Sequence, residues 1–384
     1  MPHEESRHNI LFVLSGLEQG GTEIRLLAMA RRMPRDIAVH MCVTMASVPL
    51  RPEFERSGAV VTVIPIARPW FAWRELSLIA RNVRRDRIDV INTFDLKGIL
   101  VALAVRFING RQFRWAHHLV DLEQGGTRRR RALVRSLMRR ADVLICDARS
   151  IRDVAIGTRP MRSPVEIIPN GVDTAFFAPD LALRQASRGT IGFDADHVVI
   201  GIVAKFRPEK NHQLLIHAFS TLHAENPALR LVCVGGGPLL DEMRTLVATL
   251  GIEGAVVFTG PVDDVRPFLA AMDVFVLSSL FDALSNAVLQ AMAMGVPCVC
   301  SRTGDHIEIM DGDRAGLLFD PTDRADCVHA IRRVLTDDAL RARLSTAGRA
   351  LVESNHSIEV MVTRYVSLFR ALSSRPAAAD PGDD

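Results

Sequence analysis

Two lysines five residues apart, Lys205 and Lys210, follow the apolar run VVIGIV at 198–203. A loop that leaves a strand end and enters a helix near Asn211 can set both ammonium groups against a diphosphate. There they offset the charge that develops as a phosphate ester bond breaks. The competing reading is an exposed basic turn. A second cluster lies in FDALSNAVLQAMAMG at 281–295, where Asp282, Ser285 and Asn286 crowd ahead of an apolar helix over 286–294 that keeps one amide, Gln290. The first amides of that helix, at Leu284, Ser285 and Asn286, carry about half a positive charge and favour an anion. Asp282 can accept hydrogen bonds from sugar hydroxyls, and Asn286 and Gln290, four apart, share one face. The alternative is a capped helix with a satisfied core amide.

Two further candidates lie in the first half of the chain. Gly20 and Gly21 stand between a strand ending at Leu14 and a helix starting near Thr22. Glycines beside a free helix N-terminus let a backbone come close to a phosphate. This is not a dinucleotide fingerprint, because the third glycine and the later acid are out of place. His117 and His118 end the run FRWAHH. Strand side chains alternate, so one histidine points to each face of the sheet and either could meet a substrate.

The elements that must position these residues repeat one grammar. Apolar runs at 9–14, 38–43, 59–64, 88–93, 113–118 and 142–146 alternate with helical patterns. A second series follows at 198–203, 229–234, 255–260, 273–279 and 296–301. Near-continuous apolar strands separated by helices predict parallel sheets covered on both faces. The reading is α/β, two Rossmann-like doubly wound domains facing across a cleft. An N-terminal domain is expected over 1–178 and a C-terminal domain over 190–357. The turn-rich stretch 172–190 is the expected linker, and the small, Pro-rich, acidic end at 373–384 is expected to be disordered. Ligands of such folds bind outside the carboxyl ends of the strands.

Bulk composition excludes several classes. With 384 residues, 48% hydrophobic and 24% charged, the chain reads as an ordinary globular protein of two domains. No apolar stretch reaches the roughly 18 residues of a membrane span. The start, MPHEESRHN, is too polar for a signal peptide, and the six scattered cysteines read as buried reduced thiols, so a cytoplasmic location is expected. Literal D-x-D strings at Asp194–Asp196 and Asp311–Asp313 read as turns, and no metal is expected.

The order of motifs GGTEIRLLAMA, IIPNGVDTAFFAP, VAKFRPEKN, LRLVCVGGGPLLDEM, VVFTGPVDDVRPFLAAMDVFVLSS, FDALSNAVLQAMAMGVPCVCS and EIMDGDRAGLLFDPTD resembles glycosyltransferase family 4. The likeness runs from about 9 to 372. It implies the GT-B fold, a helix at 358–372 crossing back onto the first domain, and retaining transfer of a hexose from a nucleoside-diphosphate sugar. The acceptor it implies is a glycan or lipid-linked saccharide in polysaccharide synthesis. By this resemblance Gly21 lets the first loop approach the donor diphosphate, Lys210 keeps the family's lysine, and Lys205 stands where an arginine is usual. Asp282 and Gln290 stand where the family carries two glutamates, one near the donor sugar and one on the nucleotide ribose. Asp282 is shorter by a methylene, and Gln290 has no charge. His118, or else His117, matches the histidine near the reacting centre. The co-substrate is the nucleotide sugar, with no cofactor.

The positive charge is uneven. Residues 106–162 hold fourteen arginines against five acids. Arg128, Arg131, Arg135 and Arg139 share one face of a helix that runs on to Arg140, as expected of a protein resting on an anionic membrane surface at the inner face of the cytoplasmic membrane. A solvated helix face is the alternative. Nucleic acid is not an expected partner, since no stacking aromatics are interleaved. Two other functions compete with transfer. One is a catalytically weakened partner that binds nucleotide sugar or glycan, motivated by Asp282 and Gln290. The other is a nucleotide-sugar epimerase, which the run of motifs disfavours.

Overall fold

The apolar runs do become parallel strands. The computed structural model describes residues 7–18, 21–67, 72–119, 128–156 and 163–374. Among them the chain divides into two units. Unit 1 comprises 1–171 and 358–384, and unit 2 comprises 172–357.

Unit 1 contains strands β1 (His8–Leu14), β2 (Ile37–Val43), β3 (Val60–Val63), β4 (Val90–Thr93), β5 (Arg114–His118), β6 (Val143–Cys146) and β7 (Val165–Ile167). They form one parallel sheet in the order β3-β2-β1-β4-β5-β6-β7. Its helices are α1 (Gly21–Ala30), α2 (Arg51–Arg56), α3 (Trp73–Arg85), α4 (Leu96–Asn109), α5 (Arg128–Met138) and α6 (Arg149–Ile156). Two apolar cores flank the sheet. One packs Leu26, Phe54 and Met29 on one face, and the other packs Ile79, Val105 and Met138 on the opposite face.

Unit 2 begins with α7 (Leu181–Ile191) and carries β8 (Val198–Val203), α8 (His212–Glu225), β9 (Leu229–Val234), α9 (Leu240–Thr249), β10 (Val256–Gly260) and α10 (Arg266–Ala271). It continues through β11 (Val274–Leu277), α11 (Asn286–Ala293), β12 (Cys298–Ser301), α12 (His306–Ile309), β13 (Leu317–Phe319), α13 (Arg324–Thr336) and α14 (Asp338–Asn355). Its sheet order, β10-β9-β8-β11-β12-β13, repeats the doubly wound order of unit 1. Helix α15 (Ile358–Ser373) belongs to unit 1, where Phe369 meets Phe12 edge-on at 5.8 Å.

Two sequence expectations need correction. The domain boundary falls at Gly171/Val172, not at 178. The stretch 172–190 is no linker but the start of unit 2, because α7 is anchored there. Arg184 and Arg188, one turn apart on α7, both grip Asp273 at the entrance to β11, at 2.5 and 2.6 Å. The Asp273 carboxylate also accepts from Val199 N at 2.7 Å. A weak hydrophobic period hid a helix held by charge. Strands β7 and β13 went unread because three residues are too few to show a period. The terminal stretch from 375 lies outside the described residues.

All six cysteines are free and buried, and burial pushes the Cys42 and Cys327 thiols up to about 12.

Candidate active site

In a doubly wound sheet, the crevice for ligand opens where the strand order reverses, outside the carboxyl ends of the two strands concerned. In unit 2 those strands are β8 and β11. The loop leaving β8 carries Lys205 and Lys210, and the loop leaving β11 carries Asp282. Topology thus places the two clusters singled out in the sequence side by side. Lys210 Nζ donates to Asp282 Oδ2 at 2.5 Å, with both side chains mostly shielded from solvent.

The pair is held by backbone. Ser278 Oγ donates to the carbonyls of Lys210 and Asn211, each at 3.0 Å, and Leu280 N donates to Glu209 O at 2.8 Å. Asn211 turns the chain into α8 with a left-handed φ of 48°. From β9, Gly237 (φ 155°) lies so close to Phe206 that a Cβ would run into its backbone, and Gly236 O accepts from Phe206 N at 3.0 Å. The glycine turn of the β9 exit is therefore a packing surface for the loop that carries Lys205. From β12, Asp305 N donates to Ala283 O at 2.8 Å, and Gly304 (φ 52°) passes against the carbonyls of Asp282 and Ala283. Gly304→Ala is expected to cost about 2 kcal/mol or more and to push Asp282 off Lys210. Chemical denaturation and donor affinity should both register it; unchanged affinity would show that the loop absorbs the side chain elsewhere.

Beneath the pair lies His306, fully buried. Burial holds its imidazole below the usual range, with Asp282 pulling the other way and Lys210 adding to the depression. Sequence reading passed over this residue, since a single histidine in a four-residue helix carries no periodic signal. Helix α11 starts at Asn286, as expected, yet Ser285 makes no side-chain cap. Val288, Leu289, Ala291 and Met292 face the core, whereas Asn286 is exposed and Gln290 half-buried. The polar stripe lies on the open side of the helix, and Gln290 is not the enclosed core amide that the sequence suggested. Leu284 packs half-buried against the core of unit 2. Lys205 is exposed, and its side chain makes no hydrogen bond among the described residues.

In unit 1 the two histidines take opposite faces. His117 Nδ1 lies 2.8 Å from Thr93 Oγ1, and burial pushes its imidazole down to about 4. His118 is also fully buried, stacked on Phe94 at 5.3 Å, with Nε2 3.0 Å from the hydroxyl of Tyr365 on α15. Tyr365 is the chain's single tyrosine, and burial raises its hydroxyl to about 12, so it stays protonated. Arg25 Nη2 approaches the same His118 nitrogen at 3.5 Å, and Arg25 also pairs with Asp147 at 3.3 Å and bonds Asn170. With donors converging on Nε2, the ring proton belongs on Nδ1, which has no partner among the described residues. Burial and the Arg25 charge both lower the His118 imidazole. Gly21 is exposed at the start of α1, and Gly20 lies outside the described residues. Asp311 and Asp313 sit in a left-handed turn.

Comparison with known proteins follows the same division. The Glycosyltransferase Family 4 domain profile matches residues 19–176, and the Glycosyl transferases group 1 profile matches 197–337. The lipopolysaccharide core biosynthesis glycosyltransferase LpsE of Rhizobium meliloti is 31% identical over 242 residues, 63% of this chain and 67% of that protein. A GDP-mannose-dependent phosphatidylinositol monomannoside mannosyltransferase of Mycolicibacterium smegmatis is 30% identical, over 65% of this chain and 66% of that one. Among solved structures, Anabaena HepE in complex with UDP superposes with a TM-score of 0.82 at 19% identity, covering 94% of this chain and all of that one. That likeness speaks for the fold. Two doubly wound units, a helix returning from the end of the second to the first, and both domain profiles in order make this chain a glycosyltransferase of the GT-B fold, belonging to glycosyltransferase family 4.

Proposed function

We propose that the chain transfers a hexose from a nucleoside-diphosphate sugar to a hydroxyl of a glycan or lipid-linked saccharide, with retention at the anomeric carbon, in the synthesis of a surface polysaccharide or lipopolysaccharide. The observation that carries this reading is the Lys210–Asp282 pair at the strand-order reversal of unit 2. A diphosphate arriving there competes with Asp282 for the ammonium. Lys210 then holds the leaving group, Lys205 adds a second charge, and the released Asp282 carboxylate accepts from sugar hydroxyls. The first amides of α11 complete the anion seat. Gln290, on the open side of α11, serves the ribose through its amide. These cations of the chain offset the diphosphate charge without calling on a metal.

For retention, the acceptor hydroxyl attacks from the side the nucleotide leaves, and a phosphate oxygen takes its proton. The protein contributes positioning and charge. His118 presents an unpartnered Nδ1–H, a donor suited to a sugar oxygen once the surrounding side chains admit one. The names of the relatives support the class of reaction: LpsE is a lipopolysaccharide core enzyme, and the mycobacterial enzyme uses GDP-mannose.

The test is calorimetry against UDP, GDP, ADP and their sugars, followed by determination of the product anomer by NMR. Binding of one nucleotide series and a product with the donor's anomeric configuration support the reading. An inverted anomer would overturn the mechanism, and an isomerised nucleotide sugar would replace transfer by epimerisation. Nucleotide binding without turnover on any acceptor would favour the weakened partner that Asp282 and Gln290 suggest.

A further inference from the structure

Helix α15 packs on the unit 1 core through a buried stripe at helical spacing that includes Met361, Val362, Tyr365, Val366 and Phe369. One of these side chains is not wholly apolar. Tyr365 is the chain's single tyrosine, against seventeen phenylalanines, and it is 2% exposed. Phenylalanine would fill the same space without taking a hydroxyl out of water, and a buried hydroxyl costs stability unless it finds a partner. The partner here is His118 Nε2, at 3.0 Å.

His118 ends β5 at the carboxyl edge of the sheet, one strand from the β1–β4 reversal of strand order. Phe94, just past β4, stacks on the imidazole and sets its plane. Tyr365 and Arg25 set its edge. Arg25, on α1, is itself fixed by the ion pair to Asp147 at 3.3 Å and the bond to Asn170, and its Nη2 lies 3.5 Å from the same Nε2. A guanidinium has donors and no acceptor. Nε2 must therefore turn a lone pair toward it, and the tyrosine hydroxyl, free to rotate, donates to that lone pair. The ring proton is left on Nδ1, buried and without a partner among the described residues.

We infer that Tyr365 is a positioning residue for the transfer reaction: with Arg25 it locks His118 as an Nδ1–H donor toward the sugar at the reacting centre. The other tautomer would turn a lone pair toward the sugar oxygen and repel it. The inference rests on the reading of His118 as a donor in the reaction, proposed above. Three elements far apart in the chain, α1, β5 and α15, thus build one hydrogen-bond donor inside unit 1. The arginine run at 128–131, singled out in the sequence, has no part in it, and its side chains lie outside the described residues.

The experiment is long-range proton–nitrogen NMR correlation of the full chain labelled with nitrogen-15 histidine, the His118 signals being assigned by their loss in His118→Asn. Turnover is read alongside as release of nucleoside diphosphate from whichever of UDP-glucose, GDP-mannose and ADP-glucose binds, with water as acceptor. In the parent, Nδ1 should carry the proton and Nε2 should not. Tyr365→Phe keeps the ring packing and is expected to keep the melting temperature. It should shift the Nε2 resonance toward that of an unbonded nitrogen and lower kcat roughly three- to tenfold, the weight of one neutral hydrogen bond, with the donor KM unchanged. In the His118→Asn background the amide donates from near the position of Nδ1 and has no second tautomer, so Tyr365→Phe should cost nothing further. A loss that persists in that background would make Tyr365 merely structural and overturn the inference. So would a parent ring protonated on Nε2, or a Tyr365→Phe protein with the parent's resonances and turnover. A shifted Nε2 with unchanged turnover would remove His118 from the reaction and leave the hold of Tyr365 on its ring standing. Absence of turnover on all three sugars would count against the proposed reaction, and the Nε2 resonance would still decide the hold on His118.

Discussion

Replacing Lys210 by alanine is expected to abolish measurable donor binding and to lower kcat/KM roughly 10²–10³-fold, the scale of removing one preorganised group that stabilises a developing anion. The ammonium is already in place before donor arrives, held 2.5 Å from Asp282 by loops that hydrogen-bond to each other. On binding, the ammonium has to pass from the carboxylate to the diphosphate. Asp282→Asn separates the two roles. It frees Lys210 for phosphate, so nucleotide affinity should hold or improve, while turnover falls if the carboxylate works on the sugar. In the double variant the losses should add to less than their sum, because the two groups act on each other. Lys210→Arg keeps the charge and should recover part of the binding. A Lys210→Ala protein that binds donor as the parent does would move the diphosphate elsewhere.

The second large effect concerns acid. His117 in unit 1 and His212 in unit 2 are both pushed down to about 4, in each case chiefly by burial. His212 stacks on Phe206 at 4.1 Å, and its Nε2 has no partner among the described residues. The unfolded chain protonates these imidazoles as the pH falls through about 6.5, whereas the folded chain resists until near 4. Protons therefore favour the unfolded state across that window, and stability falls with pH. At pH 5 each histidine costs about 2 kcal/mol. For units of this size the melting temperature should drop by roughly 4–8 °C per histidine between pH 7 and pH 5. Calorimetric scans over that range measure it. His212→Leu should weaken the dependence for unit 2, where the buried His306 remains, and leave unit 1 unaffected. Midpoints that do not move with pH would mean that the rings are solvated or paired.

Much of this was legible without coordinates. Apolar runs of five to seven residues alternating with helical periods announced parallel sheets, and the residues bearing charge or hydroxyls at strand ends marked the loops to watch. The lysines and Asp282 stood out because their types were unexpected beside apolar strands. What misled was local weakness of signal. Helix α7 looked like a linker because few of its residues are apolar, Leu183 and Ile191 among them packing on the core, and because its arginines reach Asp273, eighty-nine and eighty-five residues away. Gln290 looked enclosed because its neighbours are apolar. Only the direction of α11 relative to its sheet showed the polar stripe to be on the open side.

The sequence by itself determined the elements, their order and the chemistry available, since periodicity, turn residues and side-chain type are local properties. Tertiary structure alone decided which groups meet. Lys210 and Asp282 are seventy-two residues apart, and His118 and Tyr365 two hundred and forty-seven. Their contacts depend on strand order, on glycines that let loops nest, and on a helix that returns to the first unit after the second is complete.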